Sequence, residues 1–305
     1  MRRMILLRLL FVACSLSLLT PIIAAAQTPA ADPLVKITLL HLNDLYEITP
    51  VGGGAQGGLA RVASLRKHLL EQNPNTYMIL AGDVLSPSAL GTATVDGERL
   101  AGKQMVAVMN EIGLSYSTFG NHEFDLKEQQ FLQRLSESRF TWFSSNVFDA
   151  AGKSFAGVAE GVVFTVASES NKQARIGLFG VTLDSNRQPY VTYTDPFAAA
   201  TRQVEALKGK VDILIAVTHL TLEQDIKLAE AVPEIDLILG GHEHENVQVW
   251  RGRDLTPIFK ADANARTVYV HDLVYNSVTG QLHIDSRLQP ITGAIPEDAE
   301  AAKVV

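Results

Sequence analysis

The chain has 305 residues, 47% of them hydrophobic and 19% charged, with 26 Lys and Arg against 33 Asp and Glu for a formal net charge of −7. That length fits one large α/β domain or two small ones with ample material for a core, and the acidic balance gives no electrostatic footprint for a nucleic-acid polymer. The single cysteine, Cys14, falls in the N-terminal leader, so a mature chain without it excludes disulfides, zinc–thiolate sites and cysteine nucleophiles.

Residues 1–26 have the layout of a secretory signal peptide. Arg2, Arg3 and Arg8 form a basic start, Leu9 to Leu19 an apolar run, and Ala24-Ala25-Ala26 a small-residue cleavage site before Gln27. The run is well short of the ~20 residues a membrane span needs, so no stable membrane anchor is expected. Removal takes away three arginines and no acid, moving the formal charge from −7 to −10. A thiol-free exported chain is expected in the periplasm or outside the cell. Residues 27–35, rich in Ala and Pro, read as a flexible leader.

From there apolar runs of strand length alternate with longer amphipathic stretches. Ile37 to Leu42 reads as a strand, Leu59 to Leu70 as a helix, Tyr77 to Ala81 as a strand, and Lys103 to Ile112 as a helix stopped by Gly113. Tyr116 to Phe119 is a short strand, Leu126 to Ser136 a polar helix, and Phe140 to Phe143 another apolar run. The stretch Gly152 to Val166 alternates like an antiparallel hairpin. Ile176 to Val181, Ile213 to Val217 and Ile235 to Leu239 are buried strands, with helices at Pro196 to Lys208 and Leu222 to Ala231. Thr256 to Lys260, Thr267 to Leu273 and Gln281 to Arg287 read as a closing antiparallel meander. Strands alternating with helices and then a β-rich end predict a layered α/β sandwich.

Five of these strands end in Asp, Asn or His, residue types that can bind cations. They are Asn43-Asp44, Gly82-Asp83, Gly120-Asn121-His122-Glu123-Phe124-Asp125, Thr218-His219 and Gly240-Gly241-His242-Glu243-His244. Any one has a bland reading, since Asp and Asn start turns and His sits in cores. Five together at strand ends, where open α/β sheets bind ligands, are hard to assign to turns. Carboxylate, amide oxygen and imidazole without sulfur suit hard to borderline divalent ions such as Mn²⁺, Fe or Zn²⁺. Asp83 is a candidate bridge between two cations. His242 and His244, two apart on an extended segment, would point to opposite sides and serve different ions.

These motifs, with Gly57-Gly58-Leu59-Ala60-Arg61 and Met109-Asn110-Glu111-Ile112-Gly113, resemble the calcineurin-like metallophosphoesterases, and within them the bacterial 5'-nucleotidase/UDP-sugar hydrolase branch. The resemblance covers Lys36 to Leu288. It implies a four-layer αββα sandwich with mixed sheets, a catalytic domain over residues 36–290 and a tail over 291–305. It also implies two divalent metal ions (Mn, Zn, Fe or Co), one held by Asp44, Asp83 and His244, the other by Asp83, Asn121, His219 and His242. His122 would contact the scissile phosphate and Asp125 would orient it. Glu123 is expected to pack or hydrogen-bond outside this set.

The chain departs from the family at two points. Where the pattern has Asp-x-His at the first strand, this sequence has Asp44-Leu45-Tyr46. Tyr46 either coordinates as phenolate, favouring a harder ion, or turns away and leaves a water. The branch also carries a C-terminal domain with base-stacking aromatics and phosphate-binding arginines; this chain ends at Val305, and that domain is expected to be missing, leaving nucleotide preference as an analogy.

Other features have blander readings. Gly97 to Gln104 nearly matches a phosphate loop, but Gln104 replaces the magnesium-holding Ser/Thr. His41 is expected behind the ligands or in the core, and His68, His271 and His283 at surface or sheet positions. Trp142, Trp250 and Phe197 are expected in the core. Asn146 reads equally as a turn or a site residue.

The expected function is that of an exported two-metal phosphoesterase hydrolysing small phosphomonoesters, nucleotides foremost, by attack of metal-activated hydroxide. The alternatives are a phosphodiesterase or nucleotide-sugar pyrophosphatase on the same centre and, from another class, a non-catalytic metal- and nucleotide-binding protein. Oligomeric state is not legible.

Overall fold

The computed structural model describes residues 32–305; the expected signal peptide lies outside the described residues. The first half runs β1 (Leu34–Leu42), α1 (Leu59–Gln72), β2 (Thr76–Ala81), a small hairpin β3 (Thr94–Val95) and β4 (Glu98–Arg99), α2 (Lys103–Ile112), β5 (Tyr116–Thr118), α3 (Glu128–Glu137) and β6 (Thr141–Trp142). The second runs β7 (Val147–Asp149), β8 (Gly161–Ala167), β9 (Gln173–Thr182), β10 (Val191–Tyr193), α4 (Pro196–Leu207), β11 (Ile213–His219), α5 (Leu222–Ala231), β12 (Leu237–Gly240), β13 (Val247–Arg251), β14 (Thr256–Lys260), β15 (Thr267–Asn276) and β16 (Leu282–Pro290).

Two six-stranded sheets carry the fold, in the orders β16-β15-β1-β2-β5-β6 and β13-β14-β12-β11-β9-β8. Each has a parallel centre, with antiparallel β15–β16 added at one edge of the first and antiparallel β13 and β8 at the edges of the second. The central strands β1, β2, β11 and β12 are apolar almost throughout because both faces are covered. On β1, Leu40 and Leu42 join the cluster formed with α1, α2 and α3, while Val35, Ile37 and Leu39 face the space between the sheets. On β11 the same period of two sends Ile213, Ile215 and Val217 inward, and Leu214 and Ala216 onto α4 and α5. Three clusters between four layers make the αββα sandwich.

Local signals set the helix ends. Asp195 accepts from the Ala198 amide at 2.7 Å with Pro196 next to it. Thr221 and Gln224 form a capping box on α5, and α2 stops at Gly113 in the left-handed region (φ 75°).

Five expectations need correction. The strand starts at Leu34, so the end of the expected leader, including fully buried Val35, belongs to the sheet. Gly152 to Val166 is not a hairpin: β8 pairs with β9, and β7 with β10. The closing strands are not one meander, because β14 lies parallel to β12 in the second sheet while β15 and β16 return to β1 in the first. The 291–305 stretch packs down: Ile291 and Ala301 are buried among α1 and α2 residues, and the Asp298 amide donates to Ala60 O. Trp142 is buried as expected, whereas Trp250, on edge strand β13, is 47% exposed. His271 is a sheet position and is fully buried.

Candidate metal centre

The carboxyl ends of the parallel strands of both sheets meet. The Asp44 amide donates to Gly82 O at 3.1 Å, joining the ends of β1 and β2. Across the sheets, His219 Nδ1 at the end of β11 lies 2.8 Å from Ala81 O on β2. Asp44 and Asp83 both adopt positive φ (53° and 58°), a region Asp tolerates better than most residues. Asn43, not expected as a ligand, is spent on structure: its amide bonds Ala261 in both directions and donates to Asp44 Oδ2 at 2.8 Å.

Around Asp83 the acceptor atoms gather in two groups. In one, Tyr46 Oη lies 3.1 Å from Asp44 Oδ1, 3.0 Å from Asp83 Oδ2 and 3.1 Å from His244 Nε2. A phenol has one hydrogen and can satisfy only one of the three. Tyr46 has therefore not turned away from the site. Burial, then the charges of Asp83 and Asp44, push its ionisation above the ordinary phenol range. In the other group, His219 Nε2 lies 3.2 Å from Asp83 Oδ2 and 3.1 Å from Asn121 Oδ1. Because Nδ1 donates to Ala81 O, a neutral His219 aims a lone pair at two oxygens. Donor atoms of Asp44, Asp83 and His219 all fall within 4.8 Å of one another. Converging lone pairs in a buried place are what a cation resolves, and the donor set fits divalent ions. The same field favours positive charge at this point: burial opposes protonation of His219, but Asp83 and Asp44 outweigh it and push the imidazole up to about 10, so a proton fills the place of a cation on Nε2 when none is bound.

His242 and His244 do lie apart, though not by strand alternation. β12 ends at Gly240, and His242 turns through φ 78°. Its ring packs edge-on against His219, centroids 5.3 Å apart, and its amide donates to Asp44 Oδ2. The His244 ring packs on Tyr46 at 5.4 Å.

His122 and Asp125 sit on a 3-10 turn after β5. His122 Nδ1 is 2.8 Å from Asp125 Oδ2, and this bond, more than the opposing burial, raises the imidazole above its usual value. Two further residues touch the pair. Ser86 Oγ donates to Asp125 Oδ2 at 3.1 Å, and Asn186 Nδ2 donates to Asp125 Oδ1 at 2.8 Å. Both escaped the sequence reading. The available signal for Asn186 was that the Ile176 strand also ends in polar residues, Asp184-Ser185-Asn186.

Buried groups behind the site hold its turns. Glu123, fully buried, accepts from the amides of Gly120, Asp83, Val84 and Leu85. Burial, followed by the Asp83 charge, raises its carboxyl to about 7. Lys260 Nζ, also fully buried, donates to Leu220 O and Gly241 O and pairs with Asp225 at 2.9 Å and with Glu243. His41 Nε2 is 3.0 Å from Gly240 O. Asn146 is a structural turn residue, bonded to Thr182 and Thr194.

A family described as calcineurin-like phosphoesterase matches residues 37–246. The chain is 29% identical over 243 residues to an NAD 5'-nucleotidase of Haemophilus influenzae, covering 74% of this chain and 39% of that protein. It is 28% identical over 251 residues to a 5'-nucleotidase of Vibrio cholerae, covering 73% and 43% respectively. It thus spans less than half the length of these relatives. Its fold matches a 5'-nucleotidase precursor from Thermus thermophilus with TM-score 0.75 at 24% identity over 88% of this chain and 57% of the other. It also matches the calcineurin-like phosphoesterase YfkN from Bacillus subtilis with TM-score 0.73 at 20% identity over 89% and 96%.

Proposed function

Because this chain belongs to the calcineurin-like phosphoesterase family, we propose that it is an exported two-metal phosphoester hydrolase acting on phosphomonoesters, with nucleotides as the first substrate class. The observation that carries this reading is the pair of acceptor groups sharing Asp83. Asp44, Asp83 and His244, with Tyr46 among them, would hold one divalent ion. Asp83, Asn121, His219 and His242 would hold the other. Bound there, the ions would supply an activated water and neutralise phosphate charge.

The protein's own part is positional. His219 keeps hydrogen on Nδ1 through Ala81 O and so offers Nε2 as a ligand. Asp83 is fixed by the His122 amide, which donates to its Oδ1 at 2.8 Å. His122, held by Asp125, carries hydrogen on Nδ1 and can protonate the leaving oxygen through Nε2, a contribution typically worth ~10²–10⁴-fold. The nucleotide class is supported by the relatives named for nucleotide hydrolysis. Export rests on the sequence of residues 1–26; among the described residues no helix is long and apolar enough to cross a membrane.

The test is phosphate release by the purified protein from AMP, ADP, cyclic AMP, a UDP-sugar and an aryl phosphate, with Mn²⁺, Co²⁺, Zn²⁺ or Fe supplied and bound metal counted. Monoesters are expected to lead the panel. Asp83→Ala should cost more than His122→Ala and should lower the bound metal, since it touches both acceptor groups. An Asp83→Ala protein as active as the parent would end the reading. Export is tested by the N-terminus of the protein recovered from outside the cytoplasm, expected at Gln27.

A further inference from the structure

Asp125 is exposed, so no packed core fixes its carboxylate. Three donors do instead: His122 Nδ1 and Ser86 Oγ at Oδ2, and Asn186 Nδ2 at Oδ1. A carboxylate only accepts, so at 2.8 Å His122 Nδ1 must carry the hydrogen. Asn186 Nδ2 also comes within 3.3 Å of that same Nδ1. Two donors cannot bond each other, and the amide therefore acts on Asp125. Turning the amide over would set its oxygen against the carboxylate and lose the bond that Ser185 Oγ gives to Asn186 Oδ1 at 3.2 Å.

The loop is built to hold this pose. Asn186 sits at φ 50°, where Asn is several-fold enriched among non-glycine residues, and Arg187 Nε closes the turn on Asp184 Oδ1 at 2.7 Å. The loop leaves β9 at Thr182, whose Oγ1 donates to Phe119 O at 2.6 Å, just after β5. Asn186 thus comes from the second sheet and holds a pair that belongs to the first.

We infer that Asn186 is a positioning residue of the hydrolytic site: its side-chain amide, together with the Ser86 hydroxyl, fixes Asp125 so that His122 keeps hydrogen on Nδ1 and presents Nε2–H to the leaving oxygen. The inference rests on the hydrolytic reading above. As the water oxygen bonds to phosphorus and the P–O bond to the alcohol breaks, the Nε2 proton passes to that oxygen. The imidazole is reprotonated from solvent, to which the attacking water's protons are released.

The test compares two substrates that differ in their need for that proton. AMP releases a poor leaving alkoxide, whereas 4-nitrophenyl phosphate releases a stable phenolate. Asn186→Ala should lower kcat on AMP by roughly 10–100-fold, with KM little changed, and on the aryl ester by no more than about threefold. Ser86→Ala should show the same selectivity, and Ser86→Ala/Asn186→Ala should fall short of the product of the single losses because both act through Asp125. A second measurement needs no turnover: the downfield proton resonance of His122 Nδ1–H, identified by its loss in His122→Asn, should broaden or vanish in Asn186→Ala. Equal losses on both substrates, or an unchanged resonance, would overturn the inference. A parent protein that hydrolyses neither ester would overturn the hydrolytic reading, while the resonance would still decide whether Asn186 holds Asp125.

Discussion

At Tyr46 a phenol stands where the family pattern carries an imidazole, and the consequence is a proton. An imidazole's ordinary value is near 6.5 and a phenol's near 10, and either must shed its proton to bind a cation well. Here burial and two carboxylates make the phenol's ionisation harder still. Tyr46→His is therefore expected to bind Mn²⁺ or Zn²⁺ at least about tenfold more tightly at pH 7. Calorimetry reads the affinity; equal affinity would show that Tyr46 takes no part in holding metal. The proposed ligands were legible because each follows an apolar run by two to five residues. Ser86 and Asn186 were not, because each approaches Asp125 only through folding, and a lone Ser or Asn in a loop has no period to mark it.

At the level of elements, the turns after the strands are packed too tightly for ordinary side chains. A Cβ on Gly241 would lie 2.3 Å from Ala81 O and 2.9 Å from His219 Nδ1, so Gly241→Ala should pry His219 from Ala81. Bound metal and activity should fall together while the far-ultraviolet spectrum stays that of the parent. Lys260 governs the next element: truncation to Ala would leave Asp225 buried without its cation, at a cost of about 3–5 kcal/mol. Replacing both partners, Lys260→Met with Asp225→Leu, should recover much of that loss in denaturant titrations. Helices were the most legible elements, since α2 and α5 match their periodic runs residue for residue. The closing strands were least legible. Nothing local to Thr256–Lys260 or Thr267–Asn276 says which sheet each joins, because β14 reaches β12 only by passing over β13 and β1 lies at the other end of the chain from β15.

Across the whole molecule, two histidines sit uncharged between the sheets. Burial pushes His41 down to about 3 and His271 well below its ordinary value. An unfolded chain protonates both below about pH 6.5, whereas the folded chain does not. Their contribution is thus complete above pH 6.5 and is lost as pH falls below it, toward about 3 for His41. Each should cost on the order of 1 kcal/mol per pH unit while it is being lost. Chemical denaturation at pH 7, 6 and 5 should show a steep fall, and His271→Leu should shed about half of this pair's share of the slope. A slope indifferent to His271 would mean that His271 is not a source of the acid sensitivity.

The strand ends that meet at Asp83 come from separate sheets: Asp44, Asp83 and Asn121 from one, His219, His242 and His244 from the other. Registration between the sheets would therefore be an analogue readout of the proposed chemistry, since a slip too small to melt either sheet would still pull the two halves of the proposed ligand set apart. Phe259 and Tyr269 pack at a tilt across that seam, ring centroids 4.9 Å apart. Trimming Phe259 to Leu should make heat inactivation run ahead of the loss of secondary structure, with added metal closing the gap between the two curves by mass action. Turnover in this protein would then serve as its own strain gauge.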